Sequence, residues 1–261
     1  MKDIKPAVKS VENAFTALEF IVEMTLEKEG ATLAEVAEKL GMRKTTARNL
    51  LQTMELCGYV TRKGMGFYRL GDQFRRLLMV SESASRLREI SGPVLQNFCR
   101  EFSLPIHLSV FFNGKRHTSL SLNKDGFPED SSRIADTFEN AYRRASTRLL
   151  LAYSAPEEQL RFIKEFGPPT RSVWKEGAKN LDSALRKIRE NACAVNDDNQ
   201  ITHVVGMAVG IFDRNGKLCA SISSSIPESQ ATSKKKKELL AALREISQQL
   251  TDLFTKENIM I

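Results

Sequence analysis

Residues 32–70 read TLAEVAEKLGMRKTTARNLLQTMELCGYVTRKGMGFYRL, and this stretch decides the fold of the N-terminal part of the chain. Thr32 and Glu35 have the spacing of a capping box, in which a hydroxyl and a carboxylate three residues apart each satisfy an orphan N–H of a first helical turn. A helix therefore starts after Thr32. Leu33, Val36, Ala37 and Leu40 then recur at i, i+3, i+4 and i+7, which gathers them on one face. Gly41 ends the helix, because glycine takes the left-handed conformation at little cost. A second helix is expected over Arg43–Leu56, with Ala47, Leu50, Leu51 and Met54 turned inward. Thr45, Arg48, Asn49 and Gln52 fall on the opposite face, with Arg43, Lys44 and Thr46 near the start. Gly58–Arg62 and Phe67–Leu70 read as strands joined by the turn Lys63-Gly64-Met65-Gly66.

Two short helices at a tight turn, followed by a β-hairpin, form a winged helix-turn-helix, the arrangement that presents a recognition helix to the major groove of DNA. Charge points the same way. Between Arg43 and Arg76 eight basic residues face two acids, a local excess of +6, whereas Met1–Met42 carries −3. A polyanion suits the first segment and not the second. Such modules also mediate protein contacts, and a cationic helix is often only a solvated face. The agreement of cap, turn, wing and charge ranks double-stranded DNA first. Thr45, Arg48, Asn49 and Gln52 are then expected at bases, and Arg43, Lys44, Thr46, Arg62, Lys63 and Arg69 at the phosphate backbone.

At 261 residues the chain has room for two ordinary domains, and 41% hydrophobic with 27% charged residues is the balance of a globular protein. No apolar run approaches the roughly 18 residues of a membrane span, and the opening MKDIKPAVKS has no signal-peptide core, so the cytoplasm is the expected location. The net charge of +7 is weak support for a nucleic-acid partner. Cys57, Cys99, Cys193 and Cys219 are widely spaced with no CxxC pair, which argues against a zinc knuckle or a disulfide scaffold and for buried thiols.

Upstream, Val11, Ala14, Phe15, Leu18, Ile21 and Thr25 share a face of a helix over Ser10 to about Leu26, expected to pack under the helix-turn-helix. After the wing, Gly71 to about Ile90 reads as a connector helix, whose polar middle Ser81–Ser85 suggests partial exposure or a hinge. A break is expected at Gly92-Pro93, then a separate helix over Val94–Phe102. Ile106–Phe112 and Arg116–Leu122 flank Asn113-Gly114 as a hairpin. A three-residue loop pairs Ile106 and Leu108 with Leu122 and Leu120, and that register is preferred because it keeps the leucines together. Residues 123–136 read as a loop. Helices are expected over Tyr142–Tyr153, Pro156–Phe166 and Ala178–Asn191. Strands follow at Cys193–Asn196, Val204–Phe212 and Leu218–Ile226, then a helix from about Lys234 to Phe254. The whole is α+β.

Several segments resemble the IclR family of bacterial transcriptional regulators. They are Lys9–Ala14, the run GMRKTTARNLLQTMELCGYV at 41–60, Tyr68–Gly71, Ile106–Val110, and Ala194–Asp198 with Ile211-Phe212-Asp213. The N-terminal match is specific, and the C-terminal match is one of layout. The resemblance implies a winged helix-turn-helix over 1–70, a linker helix over 71–92, and a GAF-like α/β effector-binding and oligomerisation domain over 93–261. It also implies a homodimer or dimer of dimers on a pseudo-palindromic operator, and a small-molecule effector such as a carboxylate. By similarity the effector pocket draws on Ala145, Ser146, Asn196, Gly206, Ser223 and Ser225. A helix start at Ala145 and Ser146 makes physical sense, since free N–H groups attract a carboxylate. Where the family usually has an aspartate and a cysteine facing the effector, this chain has Asn196 and Gly206. Three arginines, Arg143, Arg144 and Arg148, have entered the segment before and into that helix, so the ligand is larger, more anionic, or absent.

No catalytic machinery is expected, since no GxSxG, P-loop or GxGxxG is present and Asp197-Asp198 has no matched base nearby. No cofactor or metal is expected either. His107 and His117 lie on opposite faces with a two-residue loop, or on the order of 13 Å apart with a three-residue one, so they do not chelate. His107 reads as a core or pocket residue and His203 as a loop residue. Ser221, Ser223 and Ser225 make one face of their strand polar, as a solvated edge or as a pocket wall. The run Lys234–Lys237 reads as a solvated cap, and Leu239, Leu243, Ile246, Leu250 and Phe254 as core or oligomer seam. Two alternatives stay open: a ligand-independent architectural DNA binder, and an enzyme carrying a winged helix as its operator sensor.

Overall fold

The computed structural model describes residues 6–64, 66–130, 137, 140–197 and 203–257, apart from the side chains at 79, 80 and 83. Helices α1 (Lys9–Glu27), α2 (Leu33–Lys39) and α3 (Lys44–Leu56) gather around Ala17, Leu18, Ile21, Val36, Leu51 and Met54 in the first of two compact units, Met1–Ser81. The capping box is formed: the Glu35 N–H donates to Thr32 Oγ1 at 3.4 Å, and the Thr32 N–H donates back to the Glu35 carboxylate at 2.8 Å. Lys28 closes on the same carboxylate, and Lys28 first, then the Thr32 N–H, hold its pKa down to about 2. Strands β1 (Ala31–Thr32), β2 (Val60–Lys63) and β3 (Phe67–Leu70) form an antiparallel sheet in the order β1-β3-β2. The two-residue β1 exists only through its pairing with Phe67 and Tyr68. Gly30 leads into it at φ +127°, where any side chain would run into the Tyr68 carbonyl.

The expected inner face of α1 is only partly inside. Val11 and Phe15 stand 50% and 61% exposed, and Val8, Val22 and Leu26 extend the same outward stripe. The apolar positions of α1 wrap more of the helix than this unit covers.

The second unit is Glu82–Ile261. Helix α4 (Asp72–Phe102) runs unbroken through Gly92-Pro93, so the expected break there and the separate helix over Val94–Phe102 are both corrected. Leu87, Leu95, Phe98 and Cys99 are all essentially fully buried. Their packing outweighs the roughly 3 kcal/mol that an interior proline costs a helix. The segment 81–85 stays helical, with Ser81, Glu82 and Ser85 exposed, and the division between the two compact units falls at Ser81/Glu82.

Strands β4 (Ile106–Phe112), β5 (Lys115–Leu122), β6 (Cys193–Asn196), β7 (Val204–Phe212) and β8 (Leu218–Pro227) form an antiparallel sheet in the order β5-β4-β8-β7-β6. One face is apolar: Ile106, Leu108, Val110, Val205, Met207, Val209, Ala220 and Ile222 pack with α4 and α9 (Ser233–Lys256). The stripe Leu239, Leu243, Ile246, Leu250 and Phe254 of α9 lies in this core. The other face meets α5 (Ala145–Tyr153), α6 (Pro156–Phe166), α7 (Lys175–Lys179) and α8 (Leu181–Asn191), where Leu149, Phe162, Trp174 and Leu185 build a second core. The expected helix over Tyr142–Tyr153 is instead a 3-10 turn, Ala141–Arg143, followed by α5. Likewise Asn180 splits the segment before Asn191: its side chain accepts the Ser183 N–H at 3.0 Å and caps α8.

The β4–β5 hairpin reaches the expected end by a different route. Ile106 pairs with Leu122 and Leu108 with Leu120, but the loop is the two residues Asn113-Gly114, both at positive φ. The extra residue sits further along, where Ser109 pairs with Thr118 and Ser119 is left as a β-bulge. Cys99 and Cys219 are buried, while Cys57 is exposed, against expectation, and Cys193 is half-buried; all four are free. Met65 of the wing turn, Asp198 and most of the expected loop beyond residue 130 lie outside the described residues.

Candidate functional site

Helix α3 buries Ala47, Leu51 and Met54 and thereby turns Thr45, Arg48, Asn49 and Gln52 into solvent. Arg43 is its N-cap rather than its first helical residue, and no side chain caps the end or places an acid in the first turn. The free N–H groups and the positive end of the helix dipole therefore lie beside exposed Lys44, Thr45 and Thr46. Arg48 and Gln52 share a cleft with Arg62 of the wing, and Arg62 lies 6.0 Å over the buried Tyr68 ring. Lys63 is exposed at the end of β2. Arg69 differs. It pairs with Thr61, away from the turn, donates to the Glu29 carbonyl and lies 3.7 Å from the Glu29 carboxylate, which ties the wing to the chain before β1.

In the second unit, alternation along the strands sets small and polar residues on the sheet face opposite the α4/α9 core. Across neighbouring strands Ser121, His107, Ser223 and Ala208 form one row, and Asn196, Gly206 and Ser225 form the next. β8 is the central strand and Ser221 and Ser223 are buried, so this serine face is not a solvated edge. A cavity of about 180 Å³ opens over these rows, and Ala145, Ser146, Asn196, Gly206, Ser223 and Ser225 all line it.

Arg116, Arg143, Arg144 and His107 complete much of the lining. Arg116 is 6% exposed, and its Nη1 donates to Ser109 Oγ at 3.2 Å and to Thr118 Oγ1 at 2.6 Å. Simple alternation from Leu120 and Leu122 would send Arg116 into the apolar core; the bulge at Ser119 reverses the facing and aims it at the cavity. His107 Nδ1 lies 3.0 Å from Ser121 Oγ. Burial first, then Arg116 and Arg144, lowers its pKa to about 4, so the ring is neutral at pH 7. Arg148 does not line this cavity. Its guanidinium lies 4.8 Å over the Trp174 ring and donates to the carbonyls of Tyr142, Val173 and Val195 at 2.7, 3.1 and 3.2 Å. It also reaches Asn196 Oδ1 at 3.4 Å, and the Asn196 amide donates to the Arg143 carbonyl, so Asn196 fixes the turn leading into α5.

Sequence reasoning missed Arg116 altogether. The signal was Asn113-Gly114, a two-residue turn whose register conflicts with the leucine pairing unless an extra residue bulges out. His117 and His203 are exposed and away from the cavity lining, and among the described residues no three His, Cys, Asp or Glu side chains group as metal ligands. Nor is any described helix long and apolar enough to cross a membrane.

A family model described as the IclR helix-turn-helix domain matches residues 10–64, and one described as bacterial transcriptional regulator IclR C-terminal matches residues 82–252. The chain is 25% identical over 251 residues to the DNA-binding transcriptional repressor YiaJ of Escherichia coli (strain K12), covering 92% of this chain and 87% of that one. An IclR transcriptional regulator from Silicibacter sp. TM1040 shares the fold, with a TM-score of 0.52 at 23% identity over 93% of this chain and 95% of that one. So does an IclR homologue from Microbacterium hydrocarbonoxydans crystallised with 4-hydroxybenzoate, with a TM-score of 0.50 at 19% identity over 92% and 98%. With both units matched in chain order, the chain belongs to the IclR family of bacterial transcriptional regulators.

Proposed function

We propose that α3 enters the major groove of an operator with Thr45, Arg48, Asn49 and Gln52 at base edges, while Arg43, Lys44, Thr46, Arg62 and Lys63 hold phosphates. Arg69 serves instead to position the wing. The observation that carries this reading is the cleft shared by Arg48, Gln52 and Arg62, beside an uncapped helix start: base-reading and phosphate-holding groups meet along one surface. The protein acts in the cytoplasm as a regulator rather than an enzyme, in keeping with the regulator names of its relatives.

Binding is as a homodimer or dimer of dimers on a pseudo-palindromic site. The outward stripe Val8, Val11, Phe15, Val22 and Leu26 supports self-association, because these large apolar side chains stand 40–85% exposed along one side of α1. A small carboxylate effector occupies the cavity lined by Ala145, Ser146, Asn196, Gly206, Ser223 and Ser225, as the homologue crystallised with 4-hydroxybenzoate suggests. It acts by favouring one dimer geometry over another. Selection of duplexes from a random pool by the purified protein tests the reading. Enrichment of an inverted repeat is expected, and no enrichment over competitor DNA at moderate salt refutes it.

A further inference from the structure

We propose that Glu55 is a specificity-determining residue of α3, and that its carboxylate selects a cytosine just beyond the bases met by Arg48 and Gln52. The proposal rests on the operator reading above and adds one base to it. Arg48, Gln52 and Glu55 recur at i, i+4 and i+7, which sets them within about 60° of one another around the helix. All three are exposed, and all three line the same cleft as Arg62 and Gly66 of the wing. Glu55 lies roughly 4.5 Å beyond Gln52 along the axis, a little more than the roughly 3.4 Å step between base pairs.

Neither helix stability nor pairing among the described residues accounts for this acid. It is the only acidic residue from Arg43 to Leu70, a stretch that holds six basic ones. It stands in the last turn of α3, where a negative charge opposes the helix dipole. Among the described residues no hydrogen bond or ion pair answers its side chain. Brought against a duplex, a carboxylate is repelled by phosphates and by the N7, O6 and O4 atoms of the major groove, all of which only accept hydrogen bonds. Cytosine N4 and adenine N6 are the donors there. Adenine sets its N7 acceptor beside N6, whereas cytosine presents N4 alone, so cytosine is the base that best answers a carboxylate.

Fluorescence anisotropy of the full-length protein at fixed ionic strength tests this, using the duplex enriched by the wild-type protein and its single-base-pair variants. Replacing the cytosine should weaken wild-type binding roughly tenfold. Glu55→Ala should abolish the preference at that pair alone, leave the preferences elsewhere intact, and hold or raise affinity for random duplex. Glu55→Gln should move the preference toward adenine, whose N6 and N7 suit an amide. A uniform rise in affinity for every duplex, with base preferences unchanged, marks Glu55 as a like-charged neighbour of phosphates; it overturns the assignment while the operator reading stands. Loss of preference at an A·T pair instead does the same. Failure of the wild-type protein to enrich any duplex overturns both.

Discussion

Compared with the arginines of α3 and the wing, those in and beside the cavity live under different rules. Arg43, Arg48 and Arg62 are exposed, whereas Arg116 and Arg148 are 6% and 3% exposed. In solvent a guanidinium is screened by salt and acts at little energetic risk, so it suits a long polyanion met along many contacts. Out of solvent it must be answered by defined partners, and its loss strands whatever it was holding. The same side chain is therefore open to salt screening on one unit and bound into fixed geometry on the other.

The largest effect is expected from Arg148→Met. It leaves the Tyr142, Val173 and Val195 carbonyls without their donor, and urea unfolding should show a loss of about 3 kcal/mol. A loss below about 1 kcal/mol would erase the contrast between buried and exposed arginines. Next, Arg48→Ala should weaken operator binding by about 1–3 kcal/mol and relax preference at one base position, read by binding to a set of single-base operator variants. Lys63→Ala should weaken all duplexes alike and lower the slope of affinity against salt by about one. If the two variants behave identically across sequences, the division between base and phosphate contacts is wrong.

pH sharpens the contrast from the other side. Unfolded His107 takes up a proton near pH 6.5, whereas in the fold, facing Arg116 from β5 and Arg144 before α5, it does so only near 4. Its contribution to stability is thus complete above pH 6.5 and is lost as pH falls toward 4. His107→Asn should flatten that part of the pH–stability curve without altering it above pH 7, as urea midpoints would show. The smallest effect is expected at the helix start: Thr32→Ala removes a cap worth about 1 kcal/mol, visible as a modest fall in the melting temperature of the first unit.

Legibility in the sequence followed the range of the interactions. The capping box at Thr32 and Glu35, the outward face of α3 and the wing strands depend on residues a few positions apart, and all are visible in the bare sequence. β1 is two residues long and owes its existence to a partner more than thirty positions away, so no local pattern announces it. Pro93 reads as a break because the rule is local, while the packing of Leu87 and Phe98 that overrides it is not. The alternation of Ser221, Ser223 and Ser225 was plain, but a pocket wall differs from a solvated edge only through strand order, and β8 proved central. Nothing local distinguishes Arg69 from Arg62, since the Glu29 carboxylate that lies against Arg69 is forty positions away in the sequence.

The bulge at Ser119 makes chain length, not only side-chain identity, a determinant of which face of the sheet Arg116 lies on. Loss of that single codon would restore strict alternation and swing a cation toward Leu122 and the oily layer beneath it. Every residue lining the cavity would still be encoded, yet Arg116 would no longer face it and the scaffold would be weakened by a charge in its core. Gene variants in this hairpin should therefore tolerate exchanges of Ser119 far better than its deletion.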